Sequence, residues 1–299
     1  MRIIHSLVVT PGQCGLYETA KDLMVAEERL GCVPIALEPL GHSLGKSDDA
    51  IAIATPEQRS ELLGSADVIV DHSGCDADML ASGVPIIHVR HGRPLSTFLM
   101  SMKGIDVYSH LAAIGKNYRY AAFVTFWRTH VAYWEPLLGR EVHCLPPPVD
   151  LERFTPDGPR REYRAGFVNY VCGDMWREDS NPFELIHRFR TFPARAKLHL
   201  YGVKKASKPL ETLLATLGDN RGEVGWAESM PHIYRGADWL ITSADIETRA
   251  IREAMACGLK VWDQFCNMPP REYAERHFDS MATARGLIQI AERVAGVKV

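Results

Sequence analysis

The chain has 299 residues, 46% of them hydrophobic and 24% charged, which sets an expectation of two globular domains of about 150 residues each. A net charge of −3 argues against a general nucleic-acid binder, and no run of about 18 uncharged apolar residues or signal pattern marks a membrane span or a secreted precursor. Seven cysteines without a C-x-x-C pair argue against a disulfide framework or structural zinc and fit a reducing cytoplasm.

In chain order, MRIIHSLVVT opens as a strand buried on both faces, and PGQCG follows as a loop. A helical pattern then runs through Leu16, Ala20, Leu23, Met24 and Leu30 to Gly31. CVPIAL, ADVIVD, VPIIHV and AFVTF are further short apolar strands separated by helix-length stretches, the signature of a doubly wound α/β sheet. EVHCLPPPVDLERFTPDGP breaks the alternation, because three consecutive prolines fit neither a ladder nor a helix. The domains are therefore expected at 1–148 and 149–299. Strand and helix then alternate again from GFVNYVCG through DWLITS, ETRAIREAMACG and LKVW. TARGLIQIAERVAG closes the chain as an amphipathic helix, a candidate to pack back on the first domain. Two such domains on a proline hinge are expected to leave a cleft at the carboxyl ends of their strands. Residues 1–150 carry 12 Lys and Arg against 17 Asp and Glu, and residues 151–299 carry 22 against 20. The second half is the better home for a phosphate-bearing ligand.

Residues 243–262, SADIETRAIREAMACGLKVW, hold a strand-to-helix turn and a short alanine-rich helix that ends at Gly258. The first turn of a helix leaves backbone N–H groups unpaired at the positive end of its dipole, a ready cradle for phosphate. Ser243 and Thr248 are candidates to cap that helix or to touch a phosphate. Asp245, Glu247 and Glu253 are carboxylates that accept hydrogen bonds from paired hydroxyls, which a sugar or ribose presents. The bland alternative has Asp245 and Glu247 complementing the dipole and Glu253 solvated.

This stretch resembles the nucleotide-sugar motif of retaining GT-B glycosyltransferases of the family-four type, in which an acid, seven residues and a glutamate lead into a run like EAMACGxPV. By that spacing Asp245 fills the first acidic position, while reading IET as the family's Y-E-T-F variant would put Glu247 there. CLPPPVDLERFTP is similar to the family's interdomain segment, and EVGWAESMPHIYRGADWLITS to its strand–helix–strand, where Trp226 and Glu228 would hold the base. PGQCGLYE stands at the family's glycine-rich loop, which implies Gly12 and Gly15 beside the donor phosphates. VDHSGCD, with His72, resembles a family strand end, and VPIIHVRHG implies His91 beside the transferred sugar. In YVCGDMWRED, Gly173 and Arg177 stand near the family's phosphate-binding cations, with Lys204 and Lys205 a second choice. The likeness is strong over roughly 140–262 and an outline over 1–140.

The resemblance implies an α/β protein of two Rossmann-like domains facing across a cleft, and transfer of a sugar from a UDP- or GDP-sugar to an acceptor hydroxyl with retention. It implies no required cofactor and no metal. The acceptor is left open among small molecules, lipid-linked glycans, polysaccharide and modified DNA, and so is the oligomeric state. Upstream the motif departs from the family, since no glycine lies between Asp245 and Glu253. That departure motivates an alternative, a catalytically degenerate scaffold that binds nucleotide-sugar without turnover. A second alternative is a compact enzyme that glycosylates a modified DNA base, motivated by length and by the basic, aromatic stretches RHGR and KNYRY. Phe123, Phe126, Trp127, Tyr133 and Trp134 read as core and cleft lining. His88 and His91, three apart on a strand, read as an improbable metal pair.

Overall fold

In a computed structural model, residues 1–7, 15–40, 56–173, 182–193, 195–202, 208–227, 229–244, 247–262 and 268–296 are described. The first elements in chain order are β1 (Arg2–Ser6), α1 (Gly15–Arg29), β2 (Val33–Leu37), α2 (Pro56–Gly64), β3 (Val68–Asp71) and α3 (Ala77–Ala81). There follow β4 (Ile86–Arg90), α4 (Pro94–Met102), α5 (Val107–Lys116), β5 (Tyr120–Thr125), α6 (Arg128–Leu138) and β6 (His143–Cys144). The alternation resumes with β7 (Val168–Cys172), α7 (Pro182–Phe189), β8 (Ala196–Tyr201), α8 (Lys208–Ala215), β9 (Arg221–Gly225) and α9 (Met230–Gly236). The chain closes with β10 (Trp239–Leu240), α10 (Arg249–Ala256), β11 (Lys260–Val261), α11 (Pro270–His277) and α12 (Ser280–Ala295). It divides into two compact units, Met1–Pro148 with Ser280–Val299, and Val149–Asp279.

The first unit is built on a parallel sheet of order β2-β1-β3-β4-β5-β6. Helices cover both faces, so β3 is buried throughout and β4 is buried up to Arg90. Alternation along the strands sends Ile4, Ile69 and Ile86 to one core with Phe123 and Trp134. It sends Ile3, Val68, Val70 and Ile87 to the other, where α12 contributes Leu287, Ile290 and Ala291. The chain turns from one side of β1 to the other between β2 and β3, which puts the topological switch point at the carboxyl ends of β1 and β3.

The second unit has a parallel sheet of order β11-β10-β7-β8-β9, in which the first strand is central and the switch point lies between β7 and β10. Helix α10 is buried from Ala250 to Ala256, and its alanines let it pack closely with Val171, Leu240 and Ile233. It ends as the sequence predicts. Gly258 takes φ +81°, its N–H reaches Met255 O at 2.9 Å, and Leu259 N–H reaches Ala254 O at 2.9 Å. This pair of bonds satisfies two terminal carbonyls, and it needs a residue that tolerates a left-handed backbone.

Several elements differ from the sequence reading. DWLITS pairs as a strand only at Trp239 and Leu240, flanked by bonds to β7 from Asp238 N–H to Asn169 O and from Ile241 N–H to Val171 O, both 2.9 Å. The proline-rich break contains β6 just before its prolines, and REYAERH forms α11. Val149 and Asp279 form an isolated parallel bridge at the two ends of the second unit. Among the described residues, no helix is long and apolar enough to cross a membrane.

Candidate active site

In the second unit the switch point is crowded by design of sequence. Gly173 follows β7 directly, and a Cβ there would lie 3.4 Å from Tyr234 Oη and 3.5 Å from both Ala250 Cβ and Met230 Cε. Gly202 follows β8 at φ +94°, and a Cβ on it would lie 3.4 Å from Gly173 O. Two strand ends, the first turn of α10 and the α9 side chains Met230 and Tyr234 therefore meet around Gly173.

Thr248 is the N-cap residue of α10 in extended conformation, as its spacing suggests, but its side chain makes no capping bond. The first-turn amides of α10 are thus not closed by their own cap side chain. Ser243 and Glu247 are half-buried on the approach to the helix. Glu253 is not solvated, which corrects the bland reading. It is 8% exposed, its Oε1 lies 2.6 Å from Arg249 Nε, and its Oε2 accepts from Tyr234 Oη at 3.3 Å. Arg249 also lies over the Phe154 ring at 5.7 Å. Arg252 is buried as well, so α10 carries two cations, Arg249 at its first position and Arg252, with the one anion Glu253. Trp226, just past β9, is 41% exposed. Asp245, Glu228, Arg177, Gly12, Lys204 and Lys205 lie outside the described residues. Arg249 and Tyr234 were missed by sequence reasoning. Arg249 was findable, because four residues before a helical glutamate is the spacing of an intrahelical ion pair.

The first unit gathers histidines at its own switch point. His5 on β1 offers Nε2 to Glu27 Oε2 on α1 at 2.7 Å, and its Nδ1 lies 2.9 Å from His72 Nε2. His72 Nδ1 lies in turn 2.7 Å from His91 Nε2. Both His5 and Glu27 are fully buried, and burial together with the neighbouring rings of His91, His5 and His88 holds the His72 pKa well below the ordinary histidine value. His91 stands just past β4 rather than on it, and its ring packs edge-on to Phe126 at 5.2 Å. His88 belongs to a different pairing, its Nδ1 bonded to Asp71 Oδ2 at 2.8 Å. His88 and His91 thus engage different partners. Among the described residues no group of His, Cys, Asp and Glu is arranged to hold a metal ion. Gly15 opens α1, its carbonyl accepting from Thr19 Oγ1 at 2.6 Å.

The basic stretch RHGR is not an open cationic surface. Arg93 is buried at the N-cap of α4, and Arg90 bonds Thr97 Oγ1 at 2.8 Å while lying 4.8 Å over the Trp134 ring. In KNYRY, Tyr118 and Lys116 are exposed, and Arg119 stacks on Tyr118 at 5.1 Å. Phe123, Phe126 and Trp134 are core.

No protein-family model matches the sequence, and no curated protein does. Solved structures match over nearly the whole chain. A glycosyltransferase from Rickettsia africae superposes with a TM-score of 0.68 at 11% identity, over 99% of both chains. HepE from Anabaena, solved with UDP and glucose, gives 0.66 at 12% identity, over 96% of this chain and 98% of its own. An α-glucosyltransferase bound to UDP and a DNA containing a HMU base gives 0.62 at 10% identity, over 97% and 99%. At these identities the likeness establishes the fold: two Rossmann-like α/β units, as in GT-B glycosyltransferases.

Proposed function

We propose that the protein is a glycosyltransferase that moves a sugar from a UDP- or GDP-sugar to an acceptor hydroxyl with retention of anomeric configuration. The observation that carries this reading is the switch point of the second unit, where Gly173 at the end of β7 meets Ala250 in the first turn of α10, a turn whose cap residue Thr248 makes no side-chain capping bond and which carries Arg249. Backbone amides, a helix dipole and a guanidinium together form an electrophilic cradle of the kind a diphosphate leaving group needs. Glu253 has lone pairs left after meeting Arg249 and Tyr234, so it can also accept from ribose or sugar hydroxyls. Asp245 or Glu247 takes the first acidic role. Ser243 and Thr248 contact phosphate, Trp226 and Glu228 the base, Arg177 the leaving diphosphate, and Gly12 and Gly15 the donor. His91 acts on the transferred sugar. The chemistry asks for no covalent intermediate and no resident cofactor or metal. The setting is the cytoplasm, where the five described cysteines, all free, would stay reduced.

The internal Glu253–Arg249 pair favours one competing reading, a scaffold whose site is closed on itself. Incubation with UDP-glucose, GDP-mannose and further donors, following release of free nucleoside diphosphate, separates the two. The glycosyltransferase reading expects slow donor hydrolysis that falls at least tenfold in Glu253→Gln. Donor that binds and survives unchanged would favour the scaffold. For the DNA-modifying alternative, Arg93 is buried and the half-buried Arg90 is engaged by Thr97 and the Trp134 ring, so RHGR offers little of the basic surface that motivated it. Gel mobility of duplex DNA at low salt tests the rest, and we expect no shift.

A further inference from the structure

Four side chains of the first unit form an unbroken hydrogen-bonded series, Glu27–His5–His72–His91, with contacts of 2.7, 2.9 and 2.7 Å. Its inner end is fully buried and its outer end half-buried. The bonding logic fixes the protons. A carboxylate only accepts, so His5 must donate from Nε2 to Glu27. If His5 is neutral, its Nδ1 is an acceptor and His72 must donate from Nε2. The same step repeats, so His91 donates from Nε2 to His72 Nδ1 and keeps a lone pair on its own Nδ1.

One added proton reverses every bond but the first. With His5 as imidazolium beside Glu27, its Nδ1–H donates to His72 Nε2. His72 Nδ1–H then donates to His91 Nε2, and His91 Nδ1 carries a hydrogen. The transfer balances. A proton arrives at His91 Nδ1, the Nε2 proton of His91 passes to His72 Nδ1, and the Nε2 proton of His72 passes to His5 Nδ1. Whatever meets His91 Nδ1 meets an acceptor in the first state and a donor in the second.

We propose that Glu27, His5 and His72 are positioning residues that relay one proton and thereby set the protonation of His91 Nδ1. Resting on the assignment of His91 to the sugar site, the relay decides whether His91 accepts from a substrate hydroxyl or donates to a substrate oxygen. The depressed basicity of His72 agrees with a ring that passes a proton on rather than storing it. The titratable groups acting on His72 are His5 from β1, and His91 and His88 from β4 and its end. Among the described residues, the other buried charges of this unit are Asp22 on α1, Arg59 on α2, Asp71 on β3, held by His88, and Arg93 beyond β4. On α12, which packs on α1, Arg285 and Arg293 are exposed and Glu292 is half-buried.

The test is a pH titration of the ring nitrogens by 15N nuclear magnetic resonance on the full-length protein without ligand. In the native chain His5, His72 and His91 should shift together with one midpoint, as His91 Nδ1 passes from the unprotonated to the protonated position. Glu27→Gln removes the anion that favours uptake, so the common midpoint should move to lower pH. In His72→Gln the amide cannot exchange donor for acceptor within one ring. His91 should then titrate alone and ignore a second change at Glu27. An unchanged backbone spectrum confirms folding, and His5→Gln is the substitute if His72→Gln does not fold. A His91 titration unmoved by Glu27→Gln, or equally sensitive to it with and without His72, would overturn the relay. These outcomes stand apart from donor binding, which can fail while the coupling holds.

Discussion

Glu253 and Arg249 are the residues on which structure and chemistry are most entangled. Their side chains are about nine-tenths buried and 2.6 Å apart. Removing one partner of such a pair strands a charge in a poorly solvated place, which typically costs about 3 kcal/mol or more. Glu253→Ala should therefore lower stability by about 3 kcal/mol in urea unfolding, and Arg249→Met added to it should restore a large part of that loss. Equal losses in the single and double variants would show that the pair holds nothing together. The place of Glu253 on a short helix was legible because helix spacing and a glycine stop are local signals. Glu27 and His5 were not. Their meeting depends on α1 packing across β1, and the approach of His72 depends on β3 being the neighbour of β1, neither of which periodicity reports.

At the scale of elements, most helices and strands follow from apolar runs bounded by glycine and proline, and the errors are instructive. The run DWLITS is longer than β10 because burial makes a segment apolar whether or not it has a ladder partner. Helix α11 follows Pro269 and carries five charged or histidine side chains among eight residues, so its apolar signal is weak. Close packing between elements is invisible in sequence except at glycines. Gly115 on α5 is a sharp example, since a Cβ there would fall 1.9 Å from the Leu138 carbonyl oxygen at the end of α6. Backbone cannot step aside as a side chain can. Gly115→Ala should cost about 3 kcal/mol or more, measured by urea unfolding, and a loss under about 1 kcal/mol would mean α5 and α6 are not held this closely.

For the whole molecule, two parallel sheets with different strand orders each end in a switch point, and each switch point collects the polar residues its core would otherwise exclude. The repeated alternation was legible in the sequence. The amphipathic closing helix was legible as one that packs back on the first unit, where α12 supplies Leu287, Ile290 and Ala291, but the strand orders were not, because they depend on which apolar face meets which. Burying neutral histidines has a consequence for acid stability. His72 is held well below its ordinary pKa and His199 is pushed down to about 4, in both cases first by burial. Their folded values lie below the unfolded value near 6.5, so between about pH 6.5 and 4 the unfolded chain binds protons that the folded chain refuses. Stability is then fully present above pH 6.5 and falls on acidification, by at most about 1.4 kcal/mol per pH unit for each group. Urea midpoints at pH 7.5 and 5.0 should show the lower value at pH 5.0, and His199→Gln, if folded, should flatten the difference.

The most direct measurement is thermal unfolding with uridine, guanosine and adenosine diphosphates added separately. Ligand at a hundred times its Kd should stabilise the protein by about 2.7 kcal/mol. The uridine or guanosine nucleotide is expected to raise Tm, with the rise reduced in Glu253→Gln. No rise with any of the three would contradict a diphosphate site at the first turn of α10.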